Sequence, residues 1–339
     1  MGDPTIRTTQ SKTTLTLAPL HGVTGRVFRA AWFRSFGGFD AAMAPFILAV
    51  PGTSAKRNHF GDVVPAEGLP VPVIPQILGN DAESFLSTAR ALREAGYSRV
   101  NWNLGCPYPM VTRKFRGAGL LPHPARIGEF LQRVYDDKPF ANGDTRLSVK
   151  LRLGLSDPAE ILALVPTLDR YPLESVIMHP RLGTQMYRGS VDIDAFERAQ
   201  ALSSRPVAYN GDIATLSGFT ALSERLDDVS DWMIGRGAIA DPFLPARVAR
   251  ATGRTPAGAA PPEVGSEAWL AAVRAFHDDL YAGYRAVLCG PSHALAKMKE
   301  WWGYLAPSLR PRRRELARIP RARSFAEYER AVIAVFGRT

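Results

Sequence analysis

Short apolar runs rich in β-branched residues alternate along the chain with longer stretches in which apolar residues recur at helical spacing. The runs predict strands at residues 15–20, 40–46, 71–78, 99–104, 147–153, 175–179, 206–210 and 231–234. Amphipathic stretches separate most of them. Residues 82–95, for example, repeat alanine and leucine at helical spacing and stop before Gly96, a natural helix end. Apolar strands alternating with helices indicate an α/β chain with a parallel sheet covered on its faces. Eight such units within about 245 residues is the size of a closed (β/α)8 TIM barrel. The alternative is an open doubly wound sheet, which carries G-x-G-x-x-G after its first strand; here Leu20-His21-Gly22-Val23-Thr24-Gly25 stands there. The barrel is assigned to residues 1–254.

Beyond that point the pattern changes. Residues 255–266 are rich in proline, glycine and alanine and predict a linker. Residues 269–284 and 293–304 then carry apolar and aromatic side chains at helical spacing, and a last helix starts near Phe325. Seven arginines lie among prolines between Arg310 and Arg323. Residues 267–339 are therefore expected to form a small C-terminal basic helical domain, whose charge suits an anionic partner such as nucleic acid.

Composition narrows the class. The 339 residues are 46% apolar and 22% charged, which excludes a disordered or fibrous chain. A formal net charge of +10 favours an anionic partner, nucleic acid before an acidic membrane. Two cysteines, Cys106 and Cys289, cannot make a disulfide framework, and neither has the Cys or His neighbours of a zinc site, so no metal is expected. Residues 1–12 lack the apolar stretch of a secretory signal, and no apolar run is long enough to span a bilayer. The expectation is a cytoplasmic monomer with no membrane partner.

Position is more informative. The unusual polar residues fall at the carboxyl ends of the predicted strands, the rim on which barrel enzymes carry their active sites. His21 follows the first strand, Gln76 lies late in the third, and Asn103 and Cys106 follow the fourth. Lys150 and Arg152 lie late in the fifth, His179 and Arg181 end the sixth, Asn210 and Asp212 the seventh, and Gly235 with Arg236 the eighth. An interior Lys150 would be an expensive buried cation without an anionic or electron-rich ligand beside it. The turns Asn210-Gly211-Asp212 and Gly235-Arg236-Gly237 suit a phosphate, since glycine lets backbone N–H groups approach its oxygens. Cys106 sits in Gly105-Cys106-Pro107-Tyr108-Pro109, a loop composition that places its thiol at the rim, whereas Cys289 reads as a structural residue of the tail.

These motifs resemble the tRNA-dihydrouridine synthase family. Ala18-Pro19-Leu20-His21-Gly22-Val23-Thr24 is similar to its opening A-P-M-x-G-V-T-D, and Pro75-Gln76-Ile77-Leu78-Gly79 to its Q-L-x-G strand. Asn103-Leu104-Gly105-Cys106-Pro107, followed by Arg116-Gly117-Ala118-Gly119, is the most specific match. The segments around Lys150, His179-Pro180-Arg181, Asn210-Gly211-Asp212 and Gly235-Arg236-Gly237 follow in the family's order.

The resemblance implies FMN near Pro19, Leu20 and His21, with Gln76 and Lys150 on its polar edge and His179 facing it. It puts the phosphate on Asn210, Gly211, Asp212, Gly235 and Arg236. Asn103 and Arg181 would lie by the target uracil, Lys114 and Arg116 would contact tRNA or another RNA, and Cys106 would donate a proton to C5 while hydride reaches C6. NADPH would re-reduce the flavin. Asn101, Met110 and Leu182 depart from the usual residues of these motifs, which leaves the RNA-facing contacts open, with an atypical tRNA position or another RNA as target. The alternatives are an FMN oxidoreductase acting on a free pyrimidine or other small molecule, and a non-catalytic RNA-binding barrel. The modified uridine is not readable from the chain.

Overall fold

A computed structural model describes residues 13–52, 60–63, 69–254 and 260–337. Ten parallel ladder segments form one sheet: β1 Thr14–Leu17, β2 Ala41–Met43, β3 Ile47–Leu48, β4 Val73–Ile74, β5 Gln76–Leu78, β6 Arg99–Leu104, β7 Arg146–Gly154, β8 Val176–Leu182, β9 Val207–Tyr209 and β10 Asp231–Ile234. They make eight strands rather than ten. Only Pro75, which has no N–H to give, separates β4 from β5. β2 pairs with β4 and β3 pairs with β5, so both pairs belong to one contact between the second and third strands. With β1 paired to both β10 and β2, the sheet closes on itself as a (β/α)8 barrel.

Strand alternation then sorts the side chains into two cores. One set points outward under the helices, including Leu15, Trp102, Val149, Leu151, Met178 and Trp232. Trp102 stacks on Phe130 with ring centroids 3.9 Å apart. The other set fills the barrel: Ala18, Ala41, Met43, Ile74, Ile177, Ala208 and Met233 form a separate small cluster. Gln76, Asn101, Asn103, Ser148, Lys150, Arg152, His179 and Arg181 share the period of this interior set, so the barrel is apolar on one side of its bore and polar on the other.

The connecting helices are α1 Arg26–Ser35, α2 Ala82–Glu94, α3 Pro109–Thr112, α4 Pro124–Tyr135, α5 Lys138–Ala141, α6 Ala159–Leu168, α7 Ile193–Leu202, α8 Leu216–Arg225, α9 Arg236–Ala240 and α10 Leu244–Ala251. Several start on side-chain caps: Asp81, Asp192 and Thr215 accept from backbone N–H groups of the first turn in α2, α7 and α8. Gly96, at φ +96°, stops α2 as its sequence predicts.

The tail contributes α11 Glu267–Val287, α12 Gly290–Leu305, α13 Arg313–Leu316 and α14 Phe325–Phe336. It is packed on the barrel: Phe276 of α11 meets Phe28 and Trp32 of α1 edge-on at 5.6 and 5.9 Å. The apolar core runs continuously from strand-facing residues to Trp269, Leu280 and Trp301. Lys297 reaches the carbonyl of Gly22 at 2.6 Å, so the tail also holds the loop after β1. Part of the expected linker, residues 255–259, lies outside the described residues, as do residues 1–12.

Candidate functional site

The strand ends surround a cavity of about 590 Å³, a size usual for cofactor pockets. Its wall contains Pro19, Leu20 and His21 after β1, Gln76 of β5, Asn103 and Cys106 at the end of β6, and Lys150 of β7. His179 of β8, Asn210, Gly211 and Asp212 after β9, and Gly235 and Arg236 after β10 complete it. Arg181, Lys114 and Arg116 do not line it.

Lys150 is the unusual group. Burial, with Arg152 adding to it, lowers its amine to about 7, and its ammonium has no hydrogen-bond or acidic partner among the described residues. A cation placed this way has its preferred partner still to come. His179 is equally constrained: burial first, then Arg152, Lys150, Arg181 and Arg236, hold its imidazole well below the usual range. Arg181 Nη1 lies 3.1 Å from His179 Nε2, and a guanidinium can only donate. Nε2 is therefore the acceptor, and the ring proton sits on Nδ1.

Beneath these groups an amide chain crosses the polar half of the bore. Asn103 Nδ2 donates to Gln76 Oε1 at 2.7 Å, Gln76 Nε2 to Asn101 Oδ1 at 2.7 Å, and Asn101 Nδ2 to Ser148 Oγ at 2.9 Å. Asn101 is fully buried, so its departure from the family pattern changes the barrel interior, not an RNA contact. Leu182 is partly buried, its side chain packed against the core. Met110 does face outward, at 78% exposure.

Asn103 also positions the thiol loop, since its Oδ1 accepts from the N–H groups of Gly105 and Cys106 at 3.1 and 2.9 Å. Ala118 N–H donates to the Cys106 carbonyl from behind. Gly117, at φ +54°, lies so close that a Cβ there would be 2.6 Å from that carbonyl. Burial raises the Cys106 thiol, against smaller opposing effects of the Tyr108 backbone and Arg152. It is protonated at neutral pH.

Arg181 turns inward, away from the place expected for it beside a substrate. It is buried, with one nitrogen 3.0 Å from Asp212 Oδ1, the other on Oδ2 and on the Gly189 carbonyl. Arg236 Nη2 meets the same carboxylate at 2.7 Å. Asp212 has no proton to offer a phosphate, and its carboxylate instead orients Arg236. The turns themselves are tightly interlocked: a Cβ on Gly237 would lie 1.9 Å from the Ile213 carbonyl. Of the N–H groups opening α9, that of Ala238 donates to the Gly235 carbonyl at 3.0 Å, whereas those of Arg236 and Gly237 have no acceptor within the helix. Lys114 and Arg116 stand outside the cavity, where Arg116 Nε donates to Asn80 Oδ1 and Asn80 Nδ2 to the Lys114 carbonyl.

Three further side chains shape the wall, Arg152 among the strand-end residues the sequence picks out, and Tyr187 and Tyr304 outside that pattern. Arg152, late in β7 as the strand pattern predicts, donates to the carbonyls of Gly105 and Leu182, both at 2.9 Å. Tyr187 stands on the wall between the Arg152 and Arg236 guanidinium groups, 5.2 and 5.6 Å from its ring centre. Tyr304, from α12, closes the wall from the tail and had no local signal. No group of acidic, His or Cys side chains among the described residues could hold a metal ion, and no helix among them is long and apolar enough to cross a membrane.

A closed barrel whose carboxyl rim gathers a buried thiol, an unpaired amine and two interlocked glycine turns has the arrangement of a barrel enzyme. The dihydrouridine synthase family model matches residues 16–281, and the chain belongs to that family; it is an oxidoreductase. A protein of Ralstonia nicotianae named tRNA-dihydrouridine(16) synthase is 29% identical over 298 residues, covering 86% of each chain. A protein of the same name from Cupriavidus necator is 29% identical over 327 residues, 94% of this chain and 96% of the other. The old yellow enzyme homologue of Zymomonas mobilis superposes with a TM-score of 0.51 at 12% identity, over 76% of this chain and 92% of that one. Morphinone reductase in complex with tetrahydroNAD gives 0.50 at 12% identity, over 76% and 90%. Both share the fold.

Proposed function

We propose that this protein reduces uridine in tRNA to 5,6-dihydrouridine, with FMN as bound cofactor, NADPH as reductant and position 16 as target. The observation that carries the reading is the Lys150 amine, unpaired and facing the same cavity as the Cys106 thiol. The residues fit FMN. Gln76 and Lys150 would hold the polar edge of the ring, and Gly211, Gly235 and Arg236 the phosphate, with Asp212 and Arg181 steadying Arg236. When bound and reduced, FMN supplies hydride to C6 of the uracil.

The chain's own residues do the rest. Cys106, kept protonated by its burial, gives its proton to C5. Lys150, its ammonium form favoured beside an electron-rich neighbour with the proton drawn from solvent, would stabilise negative charge developing on the base. His179, neutral, offers Nδ1–H to the cavity as a donor. A stacked base cannot reach this depth, so the uridine must leave its stack before reduction. Target position 16 is supported by the two relatives named for it, whose likeness continues through most of both chains.

The test is direct. Protein purified or reconstituted with FMN and reduced by NADPH should be reoxidised rapidly by tRNA lacking dihydrouridine, and slowly by free uracil. Failure to retain FMN overturns the cofactor; rapid reoxidation by free uracil with none by tRNA overturns the substrate.

A further inference from the structure

The loop that carries Cys106 continues into an exposed apolar ridge. Tyr108, Met110 and Phe115 are 42%, 78% and 44% exposed, three of the large apolar side chains left in solvent, all within one short segment. Tyr108 lines the cavity, and Met110 follows two residues later on α3. Phe115 is held in the left-handed region at φ +52°, with its ring 4.9 Å from the Arg126 guanidinium and edge-on to His123. Arg113, Lys114 and Arg116 are partly or fully exposed around the ridge.

An apolar ridge rimmed by cations is ill-suited to bulk water and well suited to a nucleic-acid strand, whose bases are apolar on their faces and whose backbone is anionic. Proteins that unstack bases commonly insert apolar side chains, methionine among them, into the space between steps. Resting on the reading that the substrate is a uridine in RNA, we infer that Met110 is a wedge. It enters the gap that the target leaves in the base stack and keeps the nucleotide in the cavity, while Arg113, Lys114 and Arg116 hold the flanking phosphates. Its place four residues after Cys106, in the segment that carries Tyr108 into the cavity, would set the wedge close to the vacated step. Its own exposure means that the folded enzyme loses nothing when it is shortened.

The experiment compares Met110→Ala and Met110→Leu with the parent FMN enzyme on two RNAs. One is a tRNA transcript with uridine at position 16; the other is the same transcript with abasic residues flanking that uridine, so that no stack remains to be opened. For Met110→Ala, kcat/KM should fall on the order of ten-fold more on the intact transcript than on the abasic one. Met110→Leu should retain most of the parent rate on both. An equal fall on both RNAs, or no fall on either, overturns the wedge. So does concentration-dependent self-association of the parent that Met110→Ala abolishes without changing RNA kinetics, because the ridge is then a protein contact. A parent enzyme that reduces neither RNA overturns the substrate reading itself, an outcome distinct from the others.

Discussion

Two buried histidines show how the two regions of this molecule differ. His277, in the tail, has every polar valence closed: Trp302 Nε1 donates to the Tyr328 hydroxyl at 2.8 Å, that hydroxyl donates to His277 Nε2 at 2.7 Å, and His277 Nδ1 donates to Asp278 at 2.7 Å. His179, on the barrel rim, is bordered by Lys150, Arg152, Arg181 and Arg236, and its Nδ1 has no protein partner among the described residues. Burial lowers the pKa of both rings. In the tail a carboxylate opposes that shift, whereas at the rim every neighbour named adds to it. A packing network completes itself, and a binding site leaves open the bonds its ligand will make.

The largest effect that would break this contrast is at the thiol. Cys106→Ala should leave FMN bound and lower turnover on tRNA roughly a hundred- to ten-thousand-fold, the range of a lost general acid; unchanged single-turnover reoxidation would remove Cys106 from the chemistry. Lys150→Met comes next. Replacing an unpaired buried cation should raise the melting temperature of the FMN-free protein while weakening FMN binding by about ten- to a hundred-fold, measured by fluorescence quenching. In the parent, FMN affinity should be level below pH 7 and weaken above it, because the lowered Lys150 must regain a proton to meet an electron-rich ring. A flat profile, or the same slope in Lys150→Met, contradicts the assignment.

Tyr328→Phe tests the closed network. It strands the buried Trp302 N–H and His277 Nε2, so stability should fall by about 1–3 kcal/mol with turnover per bound flavin unchanged. Because the folded state holds His277 below its unfolded value, this contribution is present above about pH 6.5 and is lost as pH falls below it. Thermal melts across pH 5–8 would show whether acid destabilisation is smaller in His277→Phe. The smallest effect is at Arg116. Arg116→Ala should weaken tRNA binding modestly and reduce its log–log salt slope by about one, and an unaltered slope takes Arg116 off the RNA path.

Much of this was legible in the chain. Strand period two put Gln76, Asn103, Lys150 and His179 on one face, and barrel geometry carries the ends of strands to one rim. What the pattern missed follows from distance. Arg181 shares the motif and the period of its neighbours, yet it pairs with Asp212, which is 31 residues away and reached only when β8 and β9 lie side by side. Asn101 sits two residues before Asn103 and looks equally available, but the step down the bore takes it beneath the cavity into contact with Ser148.

By itself the sequence determined the eight strands, the loop character of the segment around Cys106, and the chemistry converging on the rim, because each is written in local periodicity, turn residues or motif order. Tertiary structure alone decided which of those polar groups are satisfied. It closed the sheet by pairing β1 with both β10 and β2, spent Arg181 and Asp212 on each other, and brought Tyr304 of the tail to the wall. It also anchored Lys297 on Gly22, 275 residues away. The unpaired amine of Lys150 is visible only once all its neighbours are in place, since an open valence is a property of a surrounding and not of a residue.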